Sequence, residues 1–270
     1  MVEGGYSVKT FAIVGCGHLG KIVREAYGKG LLDSYRLVAA CSMKKEDAIA
    51  LVEGTDAKAV DSIDEIIAMK VDYIIETAAI ACLKDFAVKA LEEGISIIPL
   101  SIGAFADEDF KASACKAALE GGARIHIPSG AVGGFDAINT LALMAQANGW
   151  PIKAGIHTHK GPDSLKRTPL YEDGLQQAEK TVFTGSTKEA IALLPTKVNV
   201  AVASALASIG PEKATATITS VPGFIGDDHC ITVETEGLKA VADIYSATSD
   251  IAAWSIVALL RNLASPMVFF

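Results

Sequence analysis

A glycine-rich motif near the start of the chain has the spacing of a dinucleotide-binding turn. It reads Gly15-Cys-Gly-His-Leu-Gly20 and follows an apolar, β-branched run at 8–14. The first glycine permits a tight turn, and the second lets a pyrophosphate approach the backbone closely. The third allows the helix to pack closely against the strand. The alternative is a tight strand-to-helix turn that binds nothing. The motif predicts dinucleotide contacts from Gly15, Gly17, His18, Leu19 and Gly20.

The stretch after the second predicted strand, 36–41, bears on the choice of cofactor. No Asp or Glu stands at its end, where NAD-binding proteins usually hold the ribose hydroxyls. Ser42, Lys44 and Lys45 are instead suited to a 2′-phosphate, although the two lysines also fit the solvated first turn of a helix. We predict that NADP(H) is used at least as well as NAD(H). We expect a further cofactor contact from Ala79, after the third predicted strand.

His229 is the histidine best placed for acid–base chemistry. It follows two acids where a polar loop enters a strand, in Ile225-Gly-Asp-Asp-His-Cys-Ile. Histidine titrates near neutrality and can take a proton from an amine or a water. The alternative is a surface-loop histidine beside two carboxylates. His157 and His159 alternate on a strand as two metal ligands could, but nothing at a suitable spacing completes a site, so we predict no metal.

Strands and helices alternate through the first half of the chain. This alternation predicts a parallel α/β sheet with helices on both faces. After Pro128 the pattern changes to a flexible loop, a long apolar helix and strands of period two, which indicate a largely antiparallel sheet with one wet face. We predict two domains, 1–127 and 128–249. A last helix at 250–264 is predicted to return to the first domain.

The balance of charge limits the classes of partner. The 270 residues include 24 Lys and Arg and 32 Asp and Glu, which gives a formal net charge of −8. We therefore expect no nucleic-acid partner, because neutralising phosphates takes a basic face. No apolar stretch is long enough to suggest a membrane span, and five scattered cysteines fit a reducing compartment. The sequence predicts a cytoplasmic protein with no membrane partner.

Four segments in order resemble the L-aspartate dehydrogenase family. They are Ser101-Ile-Gly-Ala-Phe-Ala-Asp107, Ile127-Pro-Ser-Gly-Ala-Val-Gly-Gly-Phe-Asp136, Asn199-Val-Ala-Val-Ala203 and Arg261-Asn-Leu263. With the glycine motif, the similarity covers nearly the whole chain. Members of this family oxidise L-aspartate to iminoaspartate with NAD or NADP. The resemblance implies a Rossmann-like dinucleotide-binding domain and a second α+β domain that carries the catalytic histidine.

The resemblance also implies roles for individual residues. Ala131 matches an alanine that contacts the cofactor, and Asn199 matches an asparagine near the cofactor and the active centre. The family's catalytic histidine follows that asparagine by about thirty positions, which identifies His229 here. Lys160 and Thr248 stand where the family's substrate segments are expected, and we assign both, with Asn199, to substrate binding.

This chain departs from the family pattern near the expected substrate site. Asp227 stands in place of an asparagine two positions before the histidine, and a carboxylate there would raise the histidine's basicity. His159-Lys160-Gly161-Pro162 replaces an Arg-Lys-Pro-Pro segment, and only Thr248-Ser249 remains of an Asn-Pro-x-Thr-Ser segment. The amino acid that the enzyme accepts is therefore open.

The resemblance implies an NAD(P)-dependent oxidative deaminase. We expect a small-molecule substrate, L-aspartate or a similar amino acid, and a homodimer. Two alternatives stay open at this point. One is a related reductase of homoserine dehydrogenase or dihydrodipicolinate reductase type, and the other is an NAD(P)-binding sensor without catalytic activity.

Overall fold

The chain consists of two compact units in a computed structural model that describes residues 8–194 and 198–269. One unit contains the described residues up to Pro128 together with those from Ala252 on. The other is Ser129–Ile251. None of the helices in the described part of the chain has the length and apolar character needed to cross a bilayer.

The first unit alternates parallel strands with helices. Its strands are β1 (Lys9–Val14), β2 (Tyr35–Cys41), β3 (Lys58–Val60), β4 (Tyr73–Glu76) and β5 (Ser96–Pro99). Its helices up to Pro128 are α1 (His18–Gly28), α2 (Lys45–Val52), α3 (Ile63–Ala68), α4 (Ile80–Glu92) and α5 (Glu108–Gly121).

The strand order in this sheet is β3-β2-β1-β4-β5, and every pair is parallel. The chain moves outward in one direction from β1 to β3 and then crosses to the other side of β1 at β4. The carboxyl ends of β1 and β4 therefore meet at a topological switch point, where open parallel sheets bind their ligands. The glycine motif follows β1 and is placed at this edge.

An apolar core packs around strands β1 and β2 of the first unit. The four-residue run 11–14 is buried, as expected for a strand covered by helices on both faces. The C-terminal helix, α9 (Asp250–Ala264), contributes Ala253, Ile256, Val257 and Leu260 to the same core. The Tyr35 hydroxyl donates to the carbonyl oxygen of Leu260 at 2.7 Å, which ties the helix to β2.

The second unit carries helices on a mixed, mostly antiparallel sheet. Its strands are β6 (Ile152–Lys160), β7 (Lys180–Ser186), β8 (Thr215–Ser220), β9 (Asp227–Thr235) and β10 (Leu238–Ser246), in the order β10-β9-β6-β8-β7. Its helices are α6 (Phe135–Asn148), α7 (Thr187–Leu193) and α8 (Asn199–Leu206). Strands β6 and β8 are parallel and the other neighbours antiparallel, so the predicted fold class is confirmed.

One face of this second sheet is buried and apolar. Ala154 and Ile156 on β6 share that face with Ile218 on β8 and Ile231 and Val233 on β9, and all five belong to one core. Further along the same strands, the buried face becomes polar at Thr158, Lys160, Ser220 and His229. The apolar core therefore holds these strands in place, and the buried polar groups lie at their ends.

The secondary structure differs from the sequence prediction in a few places. After α5, the described part of the chain adds only an isolated parallel bridge to the first sheet, between Ile97 and Ile125. Strand β7 and helix α7 were not predicted. Helix α7 begins with a capping box in which the Ser186 hydroxyl accepts from the Glu189 N–H and the Glu189 carboxylate accepts from the Ser186 N–H.

Candidate active site

The glycine motif forms a turn that is closed on its protein side. Gly15 has φ +98°, and a Cβ built there would lie 2.7 Å from the carbonyl carbon of Thr77. A Cβ built on Gly20 would lie 2.2 Å from the carbonyl oxygen of Gly15. Any larger residue at either position would collide with backbone, so the turn needs glycine at both.

The same turn is open at Gly17, where a built Cβ would meet nothing within 4 Å. Gly17 is also the N-cap of α1, and no side chain caps the helix there. The first N–H groups of a helix have no partner inside the helix and carry its positive dipole end. The open space beside uncapped N–H groups fits a pyrophosphate. His18 and Leu19 lie in this first helical turn, and His18 is exposed.

Two residues after β4 hold the turn in place. The Thr77 hydroxyl donates to the carbonyl oxygen of Gly15 at 2.6 Å. Glu76, which is fully buried, accepts hydrogen bonds from the N–H of Ala78 at 2.7 Å and from the N–H and hydroxyl of Ser101 at 3.0 and 2.8 Å. Burial raises the pKa of Glu76, while these donors oppose the rise.

The hydrogen bonds of Glu76 position Ala79, a predicted cofactor contact. Ala79 is exposed, and it is the N-cap of α4, directly after the segment that Glu76 holds. We did not single out Glu76 or Thr77 from the sequence. An acid at the end of an otherwise apolar strand was the available signal, because a buried carboxylate must find donors.

The predicted 2′-phosphate contacts lie after β2. Ser42 is half-buried and makes a side-chain hydrogen bond with Cys16. Lys44 is exposed and is the N-cap of α2. Lys45 forms an ion pair with Asp61 at 2.6 Å, which partly neutralises it. Ser42 and Lys44 are therefore better candidates than Lys45 for binding a 2′-phosphate.

In the second unit, the loop at 129–134 lies against two elements of the site. A Cβ built on Gly130 would lie 3.8 Å from Cγ1 of Val200, the residue after Asn199 in α8. A Cβ built on Gly133 would lie 3.3 Å from Cδ1 of Ile244, which pairs in register with His229. The structure thus brings the loop that carries Ala131 close to the start of α8 and to the strand beside His229.

His229 is buried on β9, with only 3% of its surface exposed. Its Nδ1 lies 2.9 Å from the hydroxyl oxygen of Thr158, its register partner on β6. Burial lowers the pKa of His229 to about 4; Asp227 opposes this effect and Lys160 adds to it. The imidazole is therefore neutral at pH 7 and can accept a proton. We did not predict Thr158, although the alternation along β6 puts it on the buried face.

Lys160 and Asp227 form an ion pair next to this histidine. They are register partners on β6 and β9, and Nζ of Lys160 lies 3.1 Å from Oδ1 of Asp227. The side chain of Lys160 is 3% exposed and that of Asp227 is 40% exposed. A buried ammonium group beside a neutral histidine is suited to binding a substrate carboxylate.

Thr248 lies beyond the end of β10, two residues after Ser246. Ser246 pairs in register with Asp227, and its hydroxyl donates to the carbonyl oxygen of Thr248 at 2.6 Å. The Thr248 side chain is exposed, and its hydroxyl accepts from the N–H of Asp250 at 3.4 Å. The structure links Thr248 to the strand end opposite Asp227.

The other histidine pair lies on the opposite face of the sheet. The rings of His157 and His159 are 4.2 Å apart, and Nε2 of His157 lies 2.8 Å from the Thr219 hydroxyl. Among residues 8–194 and 198–269, no group of three His, Cys, Asp or Glu side chains could hold a metal ion.

Two family models match consecutive parts of the chain. Residues 15–128 match the NAD-binding domain of homoserine dehydrogenase, and residues 142–263 match the C-terminal domain of aspartate dehydrogenase. An L-aspartate dehydrogenase of Methanococcus maripaludis is 32% identical to this chain, over 94% of the chain and 97% of the relative. An L-aspartate dehydrogenase of Methanosarcina mazei is 30% identical with the same coverage.

Solved structures give a consistent result. The aspartate dehydrogenase of Thermotoga maritima is 26% identical, with a TM-score of 0.78 over 97% of this chain and 99% of its own. A myo-inositol dehydrogenase of Corynebacterium glutamicum is 16% identical, with a TM-score of 0.55 over 97% of this chain and 90% of its own. The latter similarity concerns the fold alone.

Proposed function

The chain belongs to the L-aspartate dehydrogenase family, and on that basis we propose that it oxidises L-aspartate to iminoaspartate with NAD or NADP. Water then converts the imine to oxaloacetate and ammonia. One observation carries this proposal: His229 is buried and neutral, and it lies two residues after Asp227. Asp227 in turn forms an ion pair with Lys160. A proton acceptor and a cation for a carboxylate are the groups that oxidation of an acidic amino acid requires.

The first unit supplies the groups for the cofactor. The open side of the turn at Gly17 and the uncapped start of α1 support binding of the pyrophosphate. Gly15 and Gly20 shape this turn, and Ala79, Ser42 and Lys44 are further proposed contacts. In the second unit, Ala131 and Asn199 are the proposed contacts of the nicotinamide half. When bound, the nicotinamide ring supplies a hydride acceptor.

The residues of the second unit act on the substrate. The α-ammonium group of L-aspartate gives one proton to His229, and the bond between Cα and its hydrogen then breaks, with both electrons leaving as hydride. The nitrogen lone pair forms the C=N bond of the imine. His229 accepts the proton at Nε2, provided that Nδ1 carries a hydrogen and donates it to the Thr158 hydroxyl. Lys160 binds a substrate carboxylate, and Asn199 and Thr248 are further proposed substrate contacts.

A panel of amino acids with both cofactors tests this function. Absorbance of the reduced nicotinamide is followed after adding each L-amino acid to the protein with NAD or with NADP. We expect L-aspartate to give the highest kcat/KM. Turnover of another substrate class would favour the related reductases, and cofactor binding without any turnover would favour the sensor.

Three further properties stay proposals. We propose that the protein acts as a homodimer, that it works in the cytoplasm, and that its domain limits are 1–127 with helix 250–264, and 128–249. The mass of the purified protein in solution tests the first of these. A mass near that of one chain, 28.1 kDa, would contradict it.

A further inference from the structure

The buried face of the second unit's sheet ends in three polar side chains, Lys160, Ser220 and Asp227, which we call the polar triplet. Lys160 on β6 pairs in register with Ser220 on β8 at one side and with Asp227 on β9 at the other. Residues paired in register on neighbouring strands point to the same face of a sheet, so Lys160 lies between Ser220 and Asp227 on that face. His229 lies two residues after Asp227 and shares this face.

Two members of the polar triplet hold buried atoms without a hydrogen bond. Ser220 is fully buried, and its Oγ has no hydrogen-bond partner in the described part of the chain. Oδ1 of Asp227 accepts no hydrogen bond there either, although Nζ of Lys160 lies 3.1 Å away as its ion-pair partner. Buried polar atoms are nearly always hydrogen-bonded, so an unpaired hydroxyl next to a buried lysine indicates that a ligand supplies the missing hydrogen-bond partner.

A zwitterionic amino acid carries the groups that complement the polar triplet. Its carboxylate accepts from a hydroxyl and an ammonium, and its ammonium donates to a carboxylate. We propose, building on the function proposed above, that Ser220 joins Lys160 in binding a substrate carboxylate and that Asp227 binds the substrate's α-ammonium group. The ammonium then lies next to His229, which receives its proton.

The charges of the polar triplet allow this arrangement. An ammonium group donates up to three hydrogen bonds, so Lys160 can keep its contact with Asp227 while it binds a carboxylate. The partial exposure of Asp227, 40% of its side chain, leaves it accessible to the incoming ammonium. One carboxylate and the α-ammonium group of the substrate add one negative and one positive charge to this lysine–aspartate pair, so the net charge of these four groups is zero.

A purely internal role for the triplet makes a different prediction. A serine that only filled space would be replaced by alanine without any effect on the substrate. If the ion pair only held β6 to β9, breaking it would change the KM of every substrate by the same factor. Substitutions at Ser220 and Asp227 separate these two roles.

The Ser220→Ala variant removes the hydroxyl and leaves every charge in place. We expect the KM for L-aspartate to rise about ten- to a hundredfold, which corresponds to the loss of a hydrogen bond to a charged group. We expect the melting temperature to stay unchanged or to rise, because an unpaired buried hydroxyl is removed. An unchanged KM would overturn the role of Ser220.

Ser204→Ala is the matched control for this variant. Ser204 is also a buried serine of the second unit, but its hydroxyl donates to the carbonyl oxygen of Ala201 at 3.0 Å within α8. Its replacement should leave the KM for L-aspartate unchanged. A rise in KM as large as that of Ser220→Ala would mean that the effect is not specific to the site.

The Asp227→Asn variant separates recognition of the ammonium from recognition of the carboxylate. We expect the KM for L-aspartate to rise at least tenfold. In the reverse direction, the KM for oxaloacetate should stay unchanged or fall, because oxaloacetate has no ammonium and Lys160 loses its competing anion. Equal increases for both compounds would overturn the role of Asp227 and favour an internal ion pair.

These outcomes distinguish a failure of this inference from a failure of the proposed function. If the unmodified protein oxidises L-aspartate and both variants keep its KM, the assignment of the polar triplet is wrong and the function stands. If the unmodified protein oxidises no amino acid in the panel, the proposed function is wrong and this inference falls with it.

Discussion

The hydroxyl oxygen of Thr158 lies 2.9 Å from Nδ1 of His229, and the two residues face each other in register across β6 and β9. Both are buried, so this contact orients the imidazole ring. With Nδ1–H donating to Thr158, Nε2 is free to accept the substrate's proton. Thr158, which lies between His157 and His159 in the sequence, is thereby part of the proposed catalytic arrangement.

Replacing Thr158 by valine keeps the shape of the side chain and removes its hydroxyl. We expect kcat for L-aspartate to fall about tenfold or more, which corresponds to the loss of roughly one buried hydrogen bond from the reactive arrangement. Cofactor affinity should not change. Thr158→Ser should restore most of kcat, since it restores the hydroxyl.

Thr217→Val is a suitable control for that change. Thr217 lies on β8 and pairs in register with His157, on the face of the sheet opposite His229. Its replacement should leave kcat within about twofold of the original value. If Thr158→Val kept full kcat as well, Thr158 would have no part in orienting His229.

Gly17 provides a test of the cofactor site. A Cβ built there meets nothing within 4 Å, so Gly17→Val should fold normally while its side chain fills the space meant for a pyrophosphate. We expect NAD(P)H affinity, measured by fluorescence titration, to fall at least a hundredfold.

Gly174→Val is the control for Gly17, because a Cβ built on Gly174 also meets nothing within 4 Å and its φ is not positive. This variant should bind NAD(P)H normally. Normal binding by Gly17→Val as well would show that the glycine motif is only a turn.

The choice of cofactor depends on the stretch after β2. No carboxylate stands there, while Ser42 is half-buried and Lys44 exposed at the start of α2. We expect kcat/KM with NADP to equal or exceed that with NAD, and Ser42→Asp to shift the preference towards NAD, because a carboxylate binds ribose hydroxyls and repels a 2′-phosphate. A strong NAD preference in the unmodified protein would place recognition of the ribose elsewhere.

The pH dependence of the reaction follows from the environment of His229. Burial lowers the pKa of His229 to about 4, Asp227 raises it, and Lys160 lowers it further. A base with a lowered pKa stays neutral as the pH falls, so the acid limb of kcat/KM should lie well below pH 6.5.

The Asp227→Asn variant checks the sign of this effect. Because Asp227 raises the pKa of His229, its loss should move the acid limb of kcat/KM to still lower pH. An acid limb at or above pH 6.5 in the unmodified protein would contradict a buried, neutral histidine. A shift of the limb to higher pH in the variant would contradict the proposed influence of Asp227.

Local patterns predicted much of the fold. The glycine turn, the strands beside it and the capping box that begins α3, with Ser62 and Glu65 exchanging hydrogen bonds, all follow from residues close in sequence. The same kind of signal was present for α7, whose Ser186 and Glu189 form a second capping box, and it was missed. Hydrophobic periodicity also predicted the change from a parallel sheet to a mostly antiparallel one.

The contacts of the site itself depend on strand register, which the sequence does not determine locally. Lys160 and Asp227 are separated by 67 positions, and only the pairing of β6 with β9 makes them partners. A shift of one residue would turn His229 to the opposite face. Glu76 and Ser101 likewise meet only because β4 and β5 are neighbours. Residue type and the family resemblance could therefore suggest His229 and Lys160, but the contacts of Thr158, Glu76 and Ser220 depend on which strands pair.

The most direct measurement is the rate of NAD(P)H formation from L-aspartate by His229→Ala beside the unmodified protein. Removal of the general base should lower kcat by about 10²–10⁴-fold. NADPH affinity should stay close to that of the unmodified protein, because the proposed contacts of the pyrophosphate and the ribose phosphate lie in the first unit and His229 lies in the second. Such a loss of turnover with intact cofactor binding is the predicted result. Turnover of L-aspartate by His229→Ala at the unmodified rate would contradict the assignment of His229 as the proton acceptor.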